Sequence, residues 1–288
     1  MKNEKFDKTY FQILSSFLFA LLGVQIKILT QHLNLESLVF YRCFFGTLII
    51  FFVILIQLKK IKINGFIANN QILQLLRAVV GVGAMYMGYK ALTIIPLAMA
   101  STISFTKVFF VTFLSFFFLK EDFKLKILFL AAIGLLGVYL IINPTTTEGS
   151  NKIGIYLSII SAFFVGIGIV LTSFLTKKNR TITILFYHSF FSLIFSSVIF
   201  FNKIEHISWD QFLLILIFTF TALLGQYFNT ESYKNKKASV TVLFSYTRII
   251  FSFLFGYFIF NETLSGLTLL GLALIVISTL SVKKFTKL

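Results

Sequence analysis

Ten apolar segments separated by short polar loops run through this 288-residue chain. Because an α-helix rises 1.5 Å per residue, about 20 apolar residues cover the roughly 30 Å hydrocarbon core of a bilayer. Hydrophobic residues make up 58% of the chain and charged residues 12%, so lipid and not water is the expected solvent. We predict an all-α integral membrane protein with ten transmembrane helices. The predicted spans are 10–28, 35–58, 71–89, 97–119, 125–142, 153–175, 181–201, 209–233, 238–260 and 264–282.

The cations of the loops alternate between the two sides of the predicted membrane. The loops and ends of the first side carry three cations each, namely Lys2, Lys5, Lys8, Lys59, Lys60, Lys62, Lys120, Lys124, Lys126, Lys177, Lys178, Arg180, Lys234, Lys236, Lys237, Lys283, Lys284 and Lys287. The second side has Lys27, Lys90, Lys152 and Lys203. Since cytoplasmic loops are enriched in Lys and Arg, we predict a multi-pass inner-membrane protein with both termini in the cytoplasm. The net charge of +16 therefore indicates topology, and nucleic acid is not an expected partner.

The two halves of the chain contain similar sequences. SFTKVFFVTFLSFFFLKE at 104–121 matches SYTRIIFSFLFGYFIFNE at 245–262 with a constant offset of 141, and FYRCFF at 40–45 matches FYHSFF at 186–191. The shared Ser, Thr, cation and Glu positions are not explained by the abundance of Phe. The chain is therefore predicted to be an internal duplication.

Each half contains five spans, so the second half enters the membrane in the opposite sense to the first. We predict two inverted five-helix repeats, residues 1–142 and 153–288, joined by a linker at 143–152. This architecture places a substrate site near the midplane between the repeats and allows alternating access.

Four cations lie well inside the predicted spans, whereas the ten acidic residues all lie in loops or at span ends. Lys107 and Arg248 occupy equivalent positions at the centre of the fourth and ninth spans. An unpaired charge at this depth is unfavourable, so we predict that both engage a carboxylate or phosphate of the substrate. The alternative is pairing with helix-end carbonyls, or a neutral lysine. Arg42 is expected to face the same cavity, whereas Arg77 either faces it or extends to the interface.

Hydroxyl groups flank the two central cations on the same helices. Ser104, Thr106, Ser245 and Thr247 are candidates for hydrogen bonds to a substrate. The alternative for each is a bond to the backbone of its own helix or to a neighbouring helix.

Tyrosine and histidine side chains provide further candidates. Tyr41, Tyr187 and Tyr246 could line a cavity, whereas Tyr86 and Tyr89 lie near a span end and are interpreted as interface anchors. His188 matches Arg42 in the other half and is either a proton carrier or a structural polar contact.

Features of enzymes, metal sites and disulfides are missing from the sequence. There is no GxxxxGK[ST] or HExxH pattern and no pair of carboxylates within a span, so neither an enzyme nor a cofactor or metal site is expected. Cys43 is the sole cysteine, which excludes an intrachain disulfide. Glu121 and Glu262, at the ends of the fourth and ninth spans, are predicted to cap the following helix or to pair with Lys124.

Ten spans, a five-plus-five repeat and a Glu-containing turn after each fourth helix (FFFLKE and YFIFNE) resemble the EamA branch of the drug/metabolite transporter superfamily. YKALTIIPLAMASTISF at 89–105 is similar to that family's junction between its third and fourth spans. The resemblance implies a carrier with a central cavity lined by both repeats, in a family whose members export amino acids or import metabolites. YFIFNE is also similar to S-adenosylmethionine carriers of intracellular bacteria. Related plastid sugar-phosphate exchangers use basic residues on the corresponding helices, as Lys107 and Arg248 would here.

The sequence departs from the family at one point, because Val108 and Ile249 stand where members commonly have a proline. The sequence leaves three functions open. A carrier for a small anionic or zwitterionic metabolite predicts a closed central cavity. A flippase component for a phosphate-bearing lipid-linked sugar predicts a groove open to lipid, and a membrane scaffold predicts filled packing with paired cations. The expected partners are a small-molecule metabolite and membrane lipid, and whether the chain dimerises stays open.

Overall fold

The computed structural model describes residues 9–59, 63–121, 125–142, 152–234, 236–261 and 266–286, and their regular secondary structure is helical. The α-helices are α1 (Thr9–Leu29), α2 (Leu35–Leu58), α3 (Gln71–Ile94), α4 (Leu97–Ile103), α5 (Lys107–Leu119), α6 (Leu125–Ile142), α7 (Lys152–Leu175), α8 (Thr181–Phe200), α9 (Trp209–Tyr233), α10 (Ala238–Thr241), α11 (Thr247–Phe260) and α12 (Gly266–Thr286).

Each predicted span is helical wherever the structure describes it. Among the described residues, eight helical segments are long and apolar enough to cross a membrane, and two shorter apolar helices lie at Leu125–Gly137 and Gly266–Ser278. Helix α3 continues five residues beyond the predicted end at Tyr89. It stops at Ile95, whose extended backbone (φ −121°, ψ 158°) is the conformation that the following Pro96 imposes. The predicted linker lies, apart from Lys152, outside the described residues.

The fourth and ninth spans are broken, which the sequence did not predict. The fourth consists of α4, a 3-10 turn at Ser104–Thr106 and α5, and the ninth consists of α10, a 3-10 segment at Val242–Tyr246 and α11. Both spans also end on a left-handed residue, Lys120 (φ 53°) and Asn261 (φ 52°), which are 141 positions apart. The matched sequences therefore specify the same local backbone in both halves.

Helices of one half pack mainly on helices of the other. The largest contacts join α3 to α7, α6 to α12, α1 to α9, α2 to α8, α3 to α8, α5 to α7 and α1 to α11. Helices α1 to α6 of the first half correspond in order to α7 to α12 of the second. If each helix is replaced by its counterpart, the α3–α7 contact becomes the α9–α1 contact, and the α5–α7 contact becomes the α11–α1 contact. The α2–α8 and α6–α12 contacts map onto themselves. The packing is therefore pseudo-symmetric, with the two halves meeting in the interior.

Large apolar side chains cover the outside of the bundle. Phe52, Phe118 and Val198 are examples, with 60%, 70% and 75% of their surface exposed. A soluble protein rarely exposes so much apolar surface, whereas a lipid-facing surface requires it.

Glu121 connects the two halves at one end of the bundle. Its carboxylate accepts hydrogen bonds from the backbone N–H groups of Ala238 (2.6 Å) and Ser239 (3.2 Å) and from the Ser239 hydroxyl (2.5 Å). The prediction that Glu121 caps the helix following it is therefore wrong, since it caps α10 of the other half. Glu262 and Lys124 lie outside the described residues.

Candidate functional site

A cavity of about 230 Å³ lies between the two halves. Its walls come from α1 to α5 of the first half and from α7, α8, α9, the 3-10 segment and α11 of the second. All four cations of the spans line it, namely Arg42, Arg77, Lys107 and Arg248. The interior of the bundle therefore contains a cavity lined by cations and is not filled by side chains.

Lys107 and Arg248 follow the 3-10 turns of the two broken spans. Lys107 is the first residue of α5, and Arg248 is the second residue of α11. The Lys107 ammonium lies 4.6 Å from the centre of the Phe105 ring, and the Arg248 guanidinium carbon lies 5.9 Å from the centre of the Phe19 ring. The two cations are close enough for their charges to repel each other. An anion placed between them would relieve that repulsion.

The Arg248 side chain has an unused donor. Its buried Nε has no hydrogen-bond partner among the described residues. A buried guanidinium donor without a partner is costly unless water or a ligand accepts its hydrogen bond.

Arg42 of α2 lies against α3. Its guanidinium contacts the Met85 sulfur, and its guanidinium carbon lies 5.8 Å from the centre of the Tyr89 ring. The buried Tyr89 hydroxyl lies within electrostatic reach of both Arg42 and Arg248. Tyr89 therefore interacts with two of the cations that line the cavity.

Arg77 is the most firmly anchored of the four cations. Its Nε donates to the Thr172 hydroxyl at 2.7 Å, and its Nη1 donates to the Ile184 carbonyl at 3.3 Å. Arg77 is buried, so the interfacial position considered from the sequence is not the one observed. The hydrogen bonds hold α3 to α7 and α8, and they leave Arg77 fewer donors for a ligand.

His188 of α8 lies close to Arg42 and Arg77, within reach of both charges. Its Nε2 lies 3.5 Å from the Gln226 side-chain nitrogen, and its buried Nδ1 has no partner among the residues that the structure describes. A role of His188 as a proton carrier stays a prediction.

Carboxylates do not line the cavity in the described part of the chain. The five acidic residues that the structure describes are elsewhere, namely Glu36, Glu121, Glu205, Asp210 and Glu231. Glu36 forms an ion pair with Lys203 at 3.5 Å and accepts a hydrogen bond from the Tyr86 hydroxyl at 3.1 Å. The positive charge of the cavity is thus not balanced by any described side chain.

The four predicted hydroxyls bond to their own backbone. Ser104, Thr106, Ser245 and Thr247 each donate to the carbonyl three residues earlier, at distances of 2.7, 2.9, 2.6 and 2.9 Å. Ser104 and Ser245 line the cavity, whereas Thr106 and Thr247 do not. Their donor hydrogens support the 3-10 turns, so only the lone pairs of the two serines remain for a substrate.

The three predicted tyrosines lie outside the cavity lining. The Tyr41 hydroxyl donates to the Glu205 carbonyl at 2.8 Å, Tyr187 packs on neighbouring aromatic rings, and Tyr246 is buried with its ring 5.1 Å from that of Phe105. Tyr89, interpreted as an interface anchor, lines the cavity instead. Because α3 runs to Ile94, Tyr89 lies five residues inside the helix and not at its end.

Sequence reasoning also missed a set of uncharged polar residues on α1 and α9. Gln12, Gln226, Asn229 and Tyr233 line the cavity. Gln12 is buried, and its side-chain oxygen accepts a hydrogen bond from the Ser232 hydroxyl at 2.5 Å. The signal was present in the sequence, because carboxamides within apolar spans also need partners.

A family model for the EamA-like transporter family matches this chain twice, over residues 9–143 and 152–283. An uncharacterized transporter of Helicobacter pylori strain J99 is 30% identical over 93% of this chain and 91% of that protein. The pseudopaline exporter CntI of Pseudomonas aeruginosa PAO1 is 25% identical over 96% and 95%, and an S-adenosylmethionine uptake transporter of Rickettsia felis is 24% identical over 95% and 92%.

A solved crystal structure shares the fold with a TM-score of 0.74, at 14% identity, over 94% of this chain and 95% of the other. Together, the two family matches, the full-length relatives and the apolar helices identify the molecule as a membrane transporter and not an enzyme. This chain belongs to the EamA-like transporter family, within the drug/metabolite transporter superfamily.

Proposed function

We propose that this chain is a secondary carrier that moves a small anionic or zwitterionic metabolite across the bacterial inner membrane. Lys107 and Arg248 bind the acidic group of that metabolite in the central cavity. The single observation that carries the proposal is the uncompensated charge of the cavity, which four cations and no described carboxylate line. A substrate with an acidic group supplies the counter-charge.

The size of the cavity favours a small metabolite. Pockets for drug-sized ligands usually have roughly 300–1,000 Å³, and this cavity has about 230 Å³. Several residues of its lining carry a buried polar atom that has no hydrogen-bond partner in the described part of the chain, including Tyr233 and Arg248. Such groups provide hydrogen bonds for a polar solute.

The charge of the cavity also bears on the cargo of known relatives. S-adenosylmethionine, named for the Rickettsia relatives, has a carboxylate but carries a net positive charge through its sulfonium and ammonium groups. Four lining cations oppose a net cation, so an anion or a neutral zwitterion is the better match for this chain.

Alternating access is supported by the matched breaks and the exchanged packing of the two halves. Two cations at equivalent positions, one from each half, would remain on the substrate while the halves rock around it. We therefore propose that the halves, residues 1–142 and 153–288 joined by the linker at 143–152, form an inverted repeat. The three-cation groups of alternate loops support a cytoplasmic location of both termini.

The cavity weighs against the other two functions. A scaffold predicts filled packing and paired cations, which the central cavity does not match. A flippase component predicts that Arg42 and Arg77 hold a headgroup in a groove open to lipid. Both arginines instead face the interior, with 8% and 6% of their surface exposed.

A ligand screen by thermal unfolding tests the proposal. Purified protein would be melted with carboxylates, amino acids, organophosphates, nucleotides and sulfonium compounds, at a fixed chloride concentration. A ligand at 100 times its dissociation constant stabilises the folded state by about 2.7 kcal/mol. We expect stabilisation by an anionic or zwitterionic compound, and loss of that stabilisation in the Lys107→Ala/Arg248→Ala double variant.

Lys90→Gln provides the matched control, because Lys90 is exposed on α3 and does not line the cavity. This variant loses one positive charge and should keep the response to the ligand. Stabilisation by sulfonium or other net cations alone would contradict the proposal, as would an unchanged response in the double variant.

A further inference from the structure

We infer that the substrate carries two carboxylates, and that Arg42 binds the second one at a recess of the cavity wall. This inference rests on the proposed function and narrows its substrate class to a small dicarboxylate. The first carboxylate lies between Lys107 and Arg248, as proposed above. The recess is a separate feature, formed by α2, α3, α8 and α9 and lined by Arg42, Cys43, Met85, His188, Ser189, Ser192, Thr219, Leu223 and Gln226.

Three buried polar atoms of the recess have no hydrogen-bond partner among the described residues. They are His188 Nδ1, the Ser192 hydroxyl and the Thr219 hydroxyl. The residues that carry them are 6%, 1% and 0% exposed. Isolated buried polar atoms are costly, and three around one recess indicate that a polar group accepts or donates hydrogen bonds there.

The sign of the charge at the recess favours an anionic group. Arg42 lies on its wall, Arg77 is within electrostatic reach of His188, and none of the described acidic residues lines it. Hydroxyls, an imidazole N–H and a guanidinium together can all donate to an oxygen anion. A cation at this position would meet only repulsion from the two arginines.

The size of the recess matches a single oxygen of an acidic group. Its volume is about 10 Å³, which accommodates about one oxygen-sized group. One oxygen of a planar carboxylate fits, while the rest of the group lies in the central cavity. Arg42, Met85, His188 and Gln226 line both spaces, so one ligand can reach the recess from the central cavity.

Tyr89 connects the two acid-binding positions. Its ring lies beside Arg42, and its buried hydroxyl is within electrostatic reach of Arg42 and Arg248. A ligand spanning the two positions would pass this hydroxyl. The charge of the cavity also favours a dicarboxylate, because two carboxylates offset two of the four lining cations, whereas a monocarboxylate offsets one.

The test compares acids that differ only in the second carboxylate. Straight-chain dicarboxylates of four to seven carbons would be paired with monocarboxylates of equal length, and glutamate with glutamine. Dissociation constants would be measured for the full chain and for Arg42→Gln, Arg42→Lys, Thr219→Val and Lys90→Gln. Lys90→Gln removes a charge outside the cavity, and Thr219→Val removes a hydroxyl with little change in shape.

In the unmodified chain we expect one dicarboxylate to bind at least tenfold more tightly than its monocarboxylate partner. Arg42→Gln should weaken the dicarboxylate at least tenfold and the monocarboxylate less than threefold. Arg42→Lys should restore part of the loss, Thr219→Val should weaken the dicarboxylate about threefold, and Lys90→Gln should change neither. If Arg42→Gln does not fold, the Thr219→Val result decides.

The dicarboxylate and the monocarboxylate could bind with equal affinity, and Lys107→Ala could abolish the binding of both. That result would overturn the inference of a second carboxylate and leave the proposed function standing. Equal weakening of both acids by Arg42→Gln would overturn it as well, since Arg42 would then act on the first carboxylate or on the fold. Failure of every acid of this series to bind would overturn this inference alone, whereas the proposed function is overturned only if the wider screen also finds no anionic or zwitterionic ligand.

Discussion

Glu121 gives the sharpest prediction for stability, because one carboxylate ties the first half of the chain to the start of α10 in the second. It accepts three hydrogen bonds, two from backbone N–H groups and one from the Ser239 hydroxyl. Hydrogen bonds to a charged group contribute about 1.5–3 kcal/mol each when buried. Glu121 is only partly buried and water can replace some of the lost bonds, so we expect Glu121→Ala to cost about 2–4 kcal/mol.

Glu121→Gln should lower the free energy of unfolding by about half as much as Glu121→Ala. The carboxamide oxygen can still accept some of the three hydrogen bonds, whereas the amide nitrogen faces N–H donors and cannot accept them. Equilibrium unfolding in mixed detergent micelles would measure both values. Ser239→Ala removes one of the three bonds and should cost about 1 kcal/mol. The Glu121→Ala/Ser239→Ala double variant should then cost less than the sum of the single variants, since the two share a bond. A Glu121→Ala cost below about 0.5 kcal/mol, the range of ordinary surface substitutions, would refute the interhalf cap.

Two further predictions concern helix packing. A Cβ on Gly137 of α6 would lie 2.5 Å from the Gly271 carbonyl oxygen of α12, so Gly137→Ala should lower the free energy of unfolding by about 1–3 kcal/mol. Gly266→Ala should not lower it, because its Cβ meets no atom of the described residues within 4 Å. Equal melting temperatures of the two variants would contradict the close approach of α6 and α12. Thr172→Val leaves Arg77 Nε without its 2.7 Å partner and should cost about 1–3 kcal/mol in the same unfolding assay, and no loss would show that the Arg77 hydrogen bond is dispensable.

The helices were largely predictable because the span length and the loop charges are both set by the bilayer. Helices α2 and α9 begin and end at the predicted residues, 35–58 and 209–233. The breaks after Ile103 and within 242–246 were not predicted. Hydropathy does not distinguish an α-helix from a 3-10 turn, and neither break contains a proline.

The serine hydroxyls at the two breaks bond to their own backbone, which is one of the two roles that the sequence left open for them. Ser104 and Ser245 donate to carbonyls three residues earlier, a spacing that matches the i, i+3 bonding of a 3-10 turn. The same bond to the carbonyl three residues earlier occurs at Ser196 in α8 and at Ser232 in α9, where the helix is unbroken, so the bond does not by itself specify a break.

The interior position of the cations was easier to predict from the sequence than that of the uncharged residues of the cavity. A charged side chain in an apolar span has few places to go, so the interior position of Lys107 and Arg248 could be expected from depth alone. The position of Tyr89 depended on where α3 ends. The contributions of Gln226 and Asn229 depended on which face of α9 meets the other half, and that is decided by packing between segments far apart in sequence.

Transport by reconstituted protein tests the central claim most directly. Uptake of the ligand identified by thermal unfolding would be measured in liposomes for the unmodified chain, Lys107→Gln, Arg248→Gln and Lys90→Gln, with melting temperatures measured in parallel. Loss of one charged hydrogen bond to the substrate, about 1.5–3 kcal/mol, corresponds to roughly 10- to 150-fold in affinity. We predict that Lys107→Gln and Arg248→Gln each lower uptake at sub-saturating substrate at least tenfold while remaining folded, and that Lys90→Gln transports normally. Undiminished uptake by folded Lys107→Gln and Arg248→Gln would contradict the account.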